Sequence, residues 1–255
     1  MNEPRRITVI MPIHNEAEYL PACLKSLKAI ENGFFEFIFV LDRCTDNSKD
    51  IVKKYFNSVL VEKNECKWKH SLAENYQIGL KMARGEIICT HDADATCPKD
   101  IGPLLAALSG NVASVSAEVI TWKNASFLNW LYHYWEKTHR IAPFGEEPRG
   151  AFRLMRKDIV EQIGGFKDVS AQETVLDVEI RRAGFRSILV KGVITYHLRR
   201  ISLRKTIKTQ IRNGRTRREL KVPFWKVFGH ALIRLRPFIV YGYYFGKDNN
   251  TCNEE

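Results

Sequence analysis

The chain has 255 residues, of which 45% are apolar and 27% charged, with a formal net charge of +11. That length and balance fit a globular α/β protein with one substantial core, and exclude a disordered one. Six scattered cysteines without a C-x-x-C pair argue against a zinc ribbon or disulfide framework and for a reduced, cytosolic setting, and the polar start with its short apolar run resembles neither a signal peptide nor a membrane span.

Ile7 to Met11 is a continuous apolar run, the pattern of a parallel strand covered on both faces, and Pro12 to Glu16 follows as a loop. Leu20, Cys23, Leu24, Leu27 and Ile30 recur at helical spacing, which predicts an amphipathic helix from Glu16 to about Ile30. Phe35 to Leu41 reads as a second strand ending at Asp42. Asp46 or Asn47 can cap the next helix, whose buried face would be Ile51, Val52, Tyr55 and Phe56. Val59 to Val61 is a third short strand, and Leu72, Tyr76, Gly79 and Ala83 are expected to line a third helix. Cys66 and His70 could share a helical face, but two ligands do not make a metal site, so both read as structural.

Ile87 to Thr90 reads as a buried strand delivering Asp92 and Asp94 at its carboxyl end. On an extended backbone, residues two apart share a side, so the two carboxylates can converge as hard divalent cations require. The order β-α-β-α-β-α-β implies a parallel sheet with right-handed crossovers, and such sheets bind ligands beyond the carboxyl ends of their strands. Asn15, Glu16, Asp42, Asp92 and Asp94 all fall at that edge.

Pro98 to Leu108 is expected to be helical and Val112 to Ile120 a strand. The aromatic stretch Phe127 to Trp135 is expected to pack in the core, with stacking against an acceptor sugar as the alternative. Pro143 to Gly150 reads as a loop. Ala151 to Met155 and Asp158 to Ile163 precede the turn Gly164-Gly165, Val175 to Ala183 is a helix closed by Gly184, and Ile188 to Tyr196 is a strand ending at His197.

The ordered set of motifs resembles the GT-A-fold glycosyltransferases of family 2. Val9 to Glu16 resembles the family's first strand and Pro-x-x-Asn-Glu loop. Val40 to Asp46 resembles its Asp-Asp-Gly-Ser-Thr-Asp turn, with Leu41, Arg43 and Cys44 departing. Gln77-Ile78-Gly79-Leu80 through Gly85 to Asp92-Ala93-Asp94 resembles the run into its Asp-x-Asp. Gln172-Glu173-Thr174-Val175-Leu176 aligns with its Glu-Asp-x-x-Leu, and His197 falls on its distal histidine. The match spans residues 7 to 200.

The resemblance implies a mostly parallel, Rossmann-like sheet flanked by helices. It implies a metal-dependent, inverting transfer of a sugar from a nucleotide-diphosphate-sugar to a lipid-linked or saccharide acceptor. Pro12, His14, Asn15, Glu16, Asp42, Gln77 and Asp92 would contact the donor, with Asp42 accepting a hydrogen bond from the base. Asp92 and Asp94 would hold Mg2+ or Mn2+, with His197 as a further ligand, and Glu173 would be the general base. Two departures bear on the base: Glu173 is one methylene longer than the family's Asp, and Gln172 removes a neighbouring charge. Asp177, one helical turn on, is the alternative carboxylate, and Glu173 could instead serve only the helix dipole. His197 could equally be a strand-end histidine bonded to backbone. A lipid-phosphate acceptor would need no base.

Two other functions compete. A nucleotidyltransferase also uses paired aspartates, but normally shows a Gly-rich loop after the first strand, which Pro12 to Glu16 lacks. An inactive fold binding anionic polymers through a basic tail would leave the acidic edge unexplained. Residues 199 to 255 hold 14 Lys/Arg against 4 Asp/Glu, so nearly all of the net charge sits there. The chain therefore divides into a catalytic domain, 1 to 200 (nucleotide half to about 97), and a helical tail, 201 to 255. Leu203, Ile207 and Ile211 against Arg204, Lys208 and Arg212 predict a helix with one apolar and one basic face. With the aromatic run Phe238 to Phe245 this suits the interface of an anionic membrane, on its cytoplasmic side, although the apolar face could instead pack on the catalytic domain. No motif for nucleic acid accompanies the charge.

Overall fold

The computed structural model describes residues 6–139 and 150–246. Seven strands form one sheet: β1 (Ile7–Ile13), β2 (Glu36–Asp42), β3 (Val59–Lys63), β4 (Ile87–His91), β5 (Val112–Thr121), β6 (Phe152–Arg156) and β7 (Arg186–His197). Their order across it is β3-β2-β1-β4-β6-β5-β7. Pairs β1–β2, β2–β3 and β1–β4 are parallel; β6 inserts antiparallel between β4 and β5; β7 runs parallel to β5. Two antiparallel steps restore the original direction, so β7 ends at the same edge as β4. That geometry carries His197 to the aspartates.

Helices cover both faces. On one, α1 (Leu20–Lys28) and α2 (Ser48–Tyr55) pack Leu20, Leu24, Leu27 and Val52 against Val9, Met11, Phe39 and Cys89. On the other, α3 (Ser71–Met82), α6 (Lys157–Gln162) and α7 (Gln172–Arg182) set Tyr76, Leu80, Ile159 and Leu176 against Ile10, Ile88 and Met155. Successive residues of β1 and β4 thus feed opposite layers, which is why those strands read as unbroken apolar runs.

Several expectations are corrected. Helix α1 starts at Leu20, because Glu16 to Tyr19 form a turn in which the Tyr19 N–H donates to the Glu16 carbonyl (3.0 Å). On α3 Leu72 is exposed and the buried apolar stripe is Ala73, Tyr76 and Leu80, since the Ser71–Glu74–Asn75 side is taken up by polar contacts to β2 and β3. The helix expected from Pro98 is only α4 (Gly102–Ala107). Helix α5 (Phe127–His139) is not the aromatic core segment expected: Phe127, Trp130, Leu131 and Tyr134 are all exposed. The loop expected at Pro143 to Gly150 lies outside the described residues except for Gly150. Cys23, Cys44, Cys89 and Cys97 are free thiols, but Cys66 is disulfide-bonded, against the expectation of a fully reduced chain.

After Ser202 the tail forms α8 (Leu203–Glu219), α9 (Phe224–Ile233) and α10 (Phe238–Phe245). Helices α8 and α10 cross at paired glycines: a Cβ on Gly214 would lie 2.0 Å from the Ile239 carbonyl oxygen, and one on Gly242 2.1 Å from that of Ile211. Arg218 donates to the carbonyls of Tyr243, Tyr244 and Gly246, and Thr216 donates to Ser170 (3.1 Å), tying the tail to the loop before α7. Because the obstructing atoms are backbone, Gly242→Ala is expected to cost about 1–3 kcal/mol as overpacking. Urea unfolding checks this, and an unchanged midpoint would show that the helices do not cross there. Among the described residues no helix is long and apolar enough to cross a membrane.

Candidate active site

The chain leaves β4 in a tight turn, with the Ala95 N–H donating to the Asp92 carbonyl (3.2 Å). Asp92 and Asp94 therefore converge through a turn and not through strand alternation. Residues 94 to 96 are sewn to the end of β7: the Leu198 N–H donates to the Asp94 carbonyl (2.8 Å), and the Thr96 N–H to that of Tyr196 (2.9 Å). His197 is thereby set over both aspartates, Nδ1 3.4 Å from Asp94 Oδ1 and Nε2 3.9 Å from Asp92 Oδ2. One ligand atom from each of the three lies within 4.8 Å of the others. Two carboxylates and an imidazole form a donor set suited to Mn2+ or Mg2+.

The electrostatics differ between the two acids. Burial raises Asp92, against the pull of His197, while its Oδ1 accepts from the Tyr76 hydroxyl (3.2 Å). Burial would also raise Asp94, but His197 and Arg199 hold it well below the usual carboxylate range. The Arg199 Nε donates to Asp94 Oδ2 (2.7 Å), its other end pairs with Glu16 Oε1, and its guanidinium lies over the Tyr19 ring. Arg199 thus joins the loop after β1 to the turn after β4. Burial raises Glu16 to about 7 even with that arginine beside it.

The loops after β1 and β2 form a second group. Asn15 takes φ +51°, a left-handed conformation that Asn tolerates, and its Oδ1 accepts from the Thr45 and Asp46 N–H groups (2.8 and 3.3 Å). Asp46 returns the link by accepting from the Ala17 and Ser48 N–H groups, both at 3.0 Å. Pro12 pairs with Val40 inside the sheet, and His14 Nδ1 lies 2.6 Å from the Asp42 carbonyl. Asp42 is buried and engaged by Ser71 Oγ, Asn75 Nδ2 (3.0 Å), Arg43 Nε (3.0 Å) and Lys63 Nζ (3.3 Å). Burial would raise its pKa, but these partners bring it down to about 2. Gln77 stands apart from both groups: its Oε1 accepts from the Phe166 N–H (2.9 Å) and holds the Gly164-Gly165 turn.

Glu173 lies in the first turn of α7, its carboxylate against Gly150 so closely that a Cβ there would fall 1.6 Å from Oε1. Burial, with the negative charge of Asp92 adding, raises it to about 7. Asp177 is committed elsewhere. It pairs with Arg153, a fully buried arginine on β6 whose Nε also donates to Ser114 Oγ (2.5 Å). Asp177→Asn would leave that cation unpaired and is expected to cost about 3–5 kcal/mol of stability. Chemical denaturation measures it; a stable variant with a large rate defect would instead make Asp177 part of the chemistry. His70 Nδ1 lies 3.0 Å from Asp168 Oδ1.

By sequence alone Tyr76 reads only as a residue lining a helix, and Arg199 carries no assigned role. Arg199 sits two residues after His197, and Tyr76 precedes Gln77 on the helix leading to β4, so both lay beside recognised motifs.

The sequence model of glycosyl transferase family 2 matches residues 8–164. This chain belongs to that family. A probable glycosyltransferase of Bacillus subtilis, YdaM, is 26% identical over 226 residues, covering 77% of this chain and 51% of that protein. The dolichol-phosphate mannosyltransferase of Pyrococcus furiosus is 24% identical over 196 residues, covering 73% of this chain and 53% of that enzyme. The chain spans about half the length of these two relatives. Among solved structures, the mannosyltransferase PcManGT from Pyrobaculum calidifontis, in complex with GDP-Man and Mn2+, superposes with a TM-score of 0.65 at 23% identity, covering 95% of this chain and 71% of that one. The fold is GT-A, as the order of motifs implied.

Proposed function

We propose that this family 2 protein is a metal-dependent, inverting glycosyltransferase that moves a sugar from a nucleotide-diphosphate-sugar to a lipid-linked or saccharide acceptor, in the biosynthesis of a glycolipid or polysaccharide. The observation that carries the reading is the cluster of Asp92, Asp94 and His197 at the carboxyl edge of the sheet, with the raised carboxyl of Glu173 in the electrostatic field of Asp92. A bound Mg2+ or Mn2+ supplies charge neutralisation for the departing diphosphate. Asp92, Asp94 and His197 would hold it, and Arg199, paired with Asp94, adds a fixed positive charge at the same edge. With an acceptor that offers a hydroxyl, Glu173, with a pKa near neutrality, takes its proton as the new bond forms; with a lipid-phosphate acceptor no base is needed and Glu173 is positional only. The Pro12 to Glu16 loop and Asp42 border the nucleotide. Gln77 acts on the donor only indirectly, through the turn it holds.

The lipid-linked acceptor is favoured by the Pyrococcus relative, whose name gives dolichol phosphate as its partner. Residues 1 to 200 then carry the chemistry, and 201 to 255 bring it to an anionic membrane surface from the cytoplasmic side. Against a nucleotidyltransferase stands the loop after β1, whose conformation is set by Asn15 and an acid in place of glycines.

A panel of nucleotide-sugars, each with and without Mn2+ or Mg2+, tests the reading through the unfolding temperature. One donor should raise it only with metal, by an amount set by its concentration relative to Kd. No shift with any donor at millimolar concentration would overturn the proposal.

A further inference from the structure

Helix α5 presents Phe127, Trp130, Leu131 and Tyr134 at spacings of i, i+3, i+4 and i+7, all on one face and all exposed, Phe127 by 72%. A helix buries such a stripe unless the stripe has a partner, and a contiguous exposed apolar patch marks an interaction surface. A second stripe, Trp225, Phe228, Leu232 and Leu235, runs along and just beyond α9 and is also exposed, Leu235 by 74%. The segment just after α9 reaches α5, the Arg236 guanidinium lying 4.9 Å from the centre of the Trp135 ring. We infer that the two stripes of α5 and α9 together are the surface by which the protein docks on an anionic lipid bilayer.

Charge complementarity selects that occupant. Between Ile201 and Gly246 the sequence has a single acid, Glu219, which pairs with Arg215. Lys226 is exposed on α9 and Lys123 is exposed just before α5, while Arg204, Lys205 and Lys208 are exposed on the adjoining α8 and Lys221 in the turn between α8 and α9. Aromatic residues at headgroup depth flanked by lysines and arginines are the make-up of an interfacial segment. The face differs from the one read in sequence, because the basic side of α8 is partly used inside the tail, where Arg215 is buried and Arg218 caps α10.

The docking face is also coupled to the site. The buried side chain of Asn129, on α5, donates to the Trp122 and Arg199 carbonyls (both 3.1 Å) and accepts from the Ile201 N–H (2.8 Å). The segment bearing His197 and Arg199 is therefore clamped to the helix that meets the lipid. The inference deepens the glycosyltransferase reading and rests on it for one point, that the acceptor arrives from the bilayer.

Flotation with phosphatidylglycerol or phosphatidylcholine vesicles, at low and high salt, tests it. The wild-type chain should float with anionic vesicles, and Trp130→Glu/Leu131→Glu and Trp225→Glu/Leu232→Glu should each lower the bound fraction at least about tenfold. Arg204→Glu/Lys208→Glu on α8 should have the smaller effect. These positions are exposed, and an unchanged circular dichroism spectrum with an unchanged donor-induced unfolding shift identifies variants that remain folded. Wild-type protein that never floats, or α5 and α9 variants that float normally, would overturn the proposal. So would a wild-type dimer by analytical ultracentrifugation that Trp130→Glu/Leu131→Glu converts to monomer without any vesicle binding. Vesicle binding with no donor-induced shift would leave the docking face standing and remove the enzymatic reading instead.

Discussion

Asp92→Asn and Asp94→Asn are each expected to reduce metal-dependent turnover by about a thousandfold or more, the several kcal/mol of charge stabilisation that a bound divalent cation provides. The two should differ in stability. Asp94 is paired with Arg199 at 2.7 Å, and its loss leaves a partly buried guanidinium with Glu16 alone. Asp92 carries a charge that burial disfavours and meets Tyr76 through one hydrogen bond. In metal-free protein, Asp94→Asn should therefore lower the unfolding midpoint more than Asp92→Asn. Turnover titrated with Mn2+ and Mg2+, alongside calorimetry, checks both statements. Full activity in either variant would remove the metal-centred reading.

With a hydroxyl acceptor, Glu173→Gln is expected to reduce kcat at least about a hundredfold with donor affinity unchanged. In the wild type, activity should rise with pH through about 7 as the carboxyl loses its proton, and the variant should lose that limb. The same ionisation has a signature in stability. The folded-state pKa of about 7 stands above the unfolded value of 4.5, so the stability contributed by the protonated form is complete below pH 4.5 and is lost as pH rises through 7. Glu173→Gln keeps a neutral group at every pH. The variant should gain unfolding temperature relative to wild type at pH 8 but not at pH 4, in protein free of metal. A normal kcat with weakened donor binding would assign Glu173 a structural role.

The aromatic stretch Phe127 to Trp135, expected to pack in the core, forms a helix whose aromatic stripe is exposed. Spacing of apolar residues identifies a face, but only the packed neighbours decide whether that face is covered. Here Asn129 and His133 are the buried residues among those described on α5, and the stripe is left outside. Asp177 shows the reverse. By spacing it is a second candidate base, and the fold engages it in an ion pair with a buried arginine from β6, 24 residues away in sequence.

What the sequence determined by itself was local and periodic. Unbroken apolar runs marked β1, β2 and β4 as doubly covered strands, and crossover topology put Asn15, Glu16, Asp42, Asp92 and Asp94 at one edge. The resemblance of ordered motifs then named the family correctly. Only the tertiary structure decided how the charges at that edge are paired. Arg199 reaches Glu16 across 183 residues of sequence and Asp94 across 105, and His197 meets the aspartates because β6 reverses direction between β4 and β5. Such contacts have no sequence period. They depend on strand order, and strand order depends on how the whole chain buries its apolar surface.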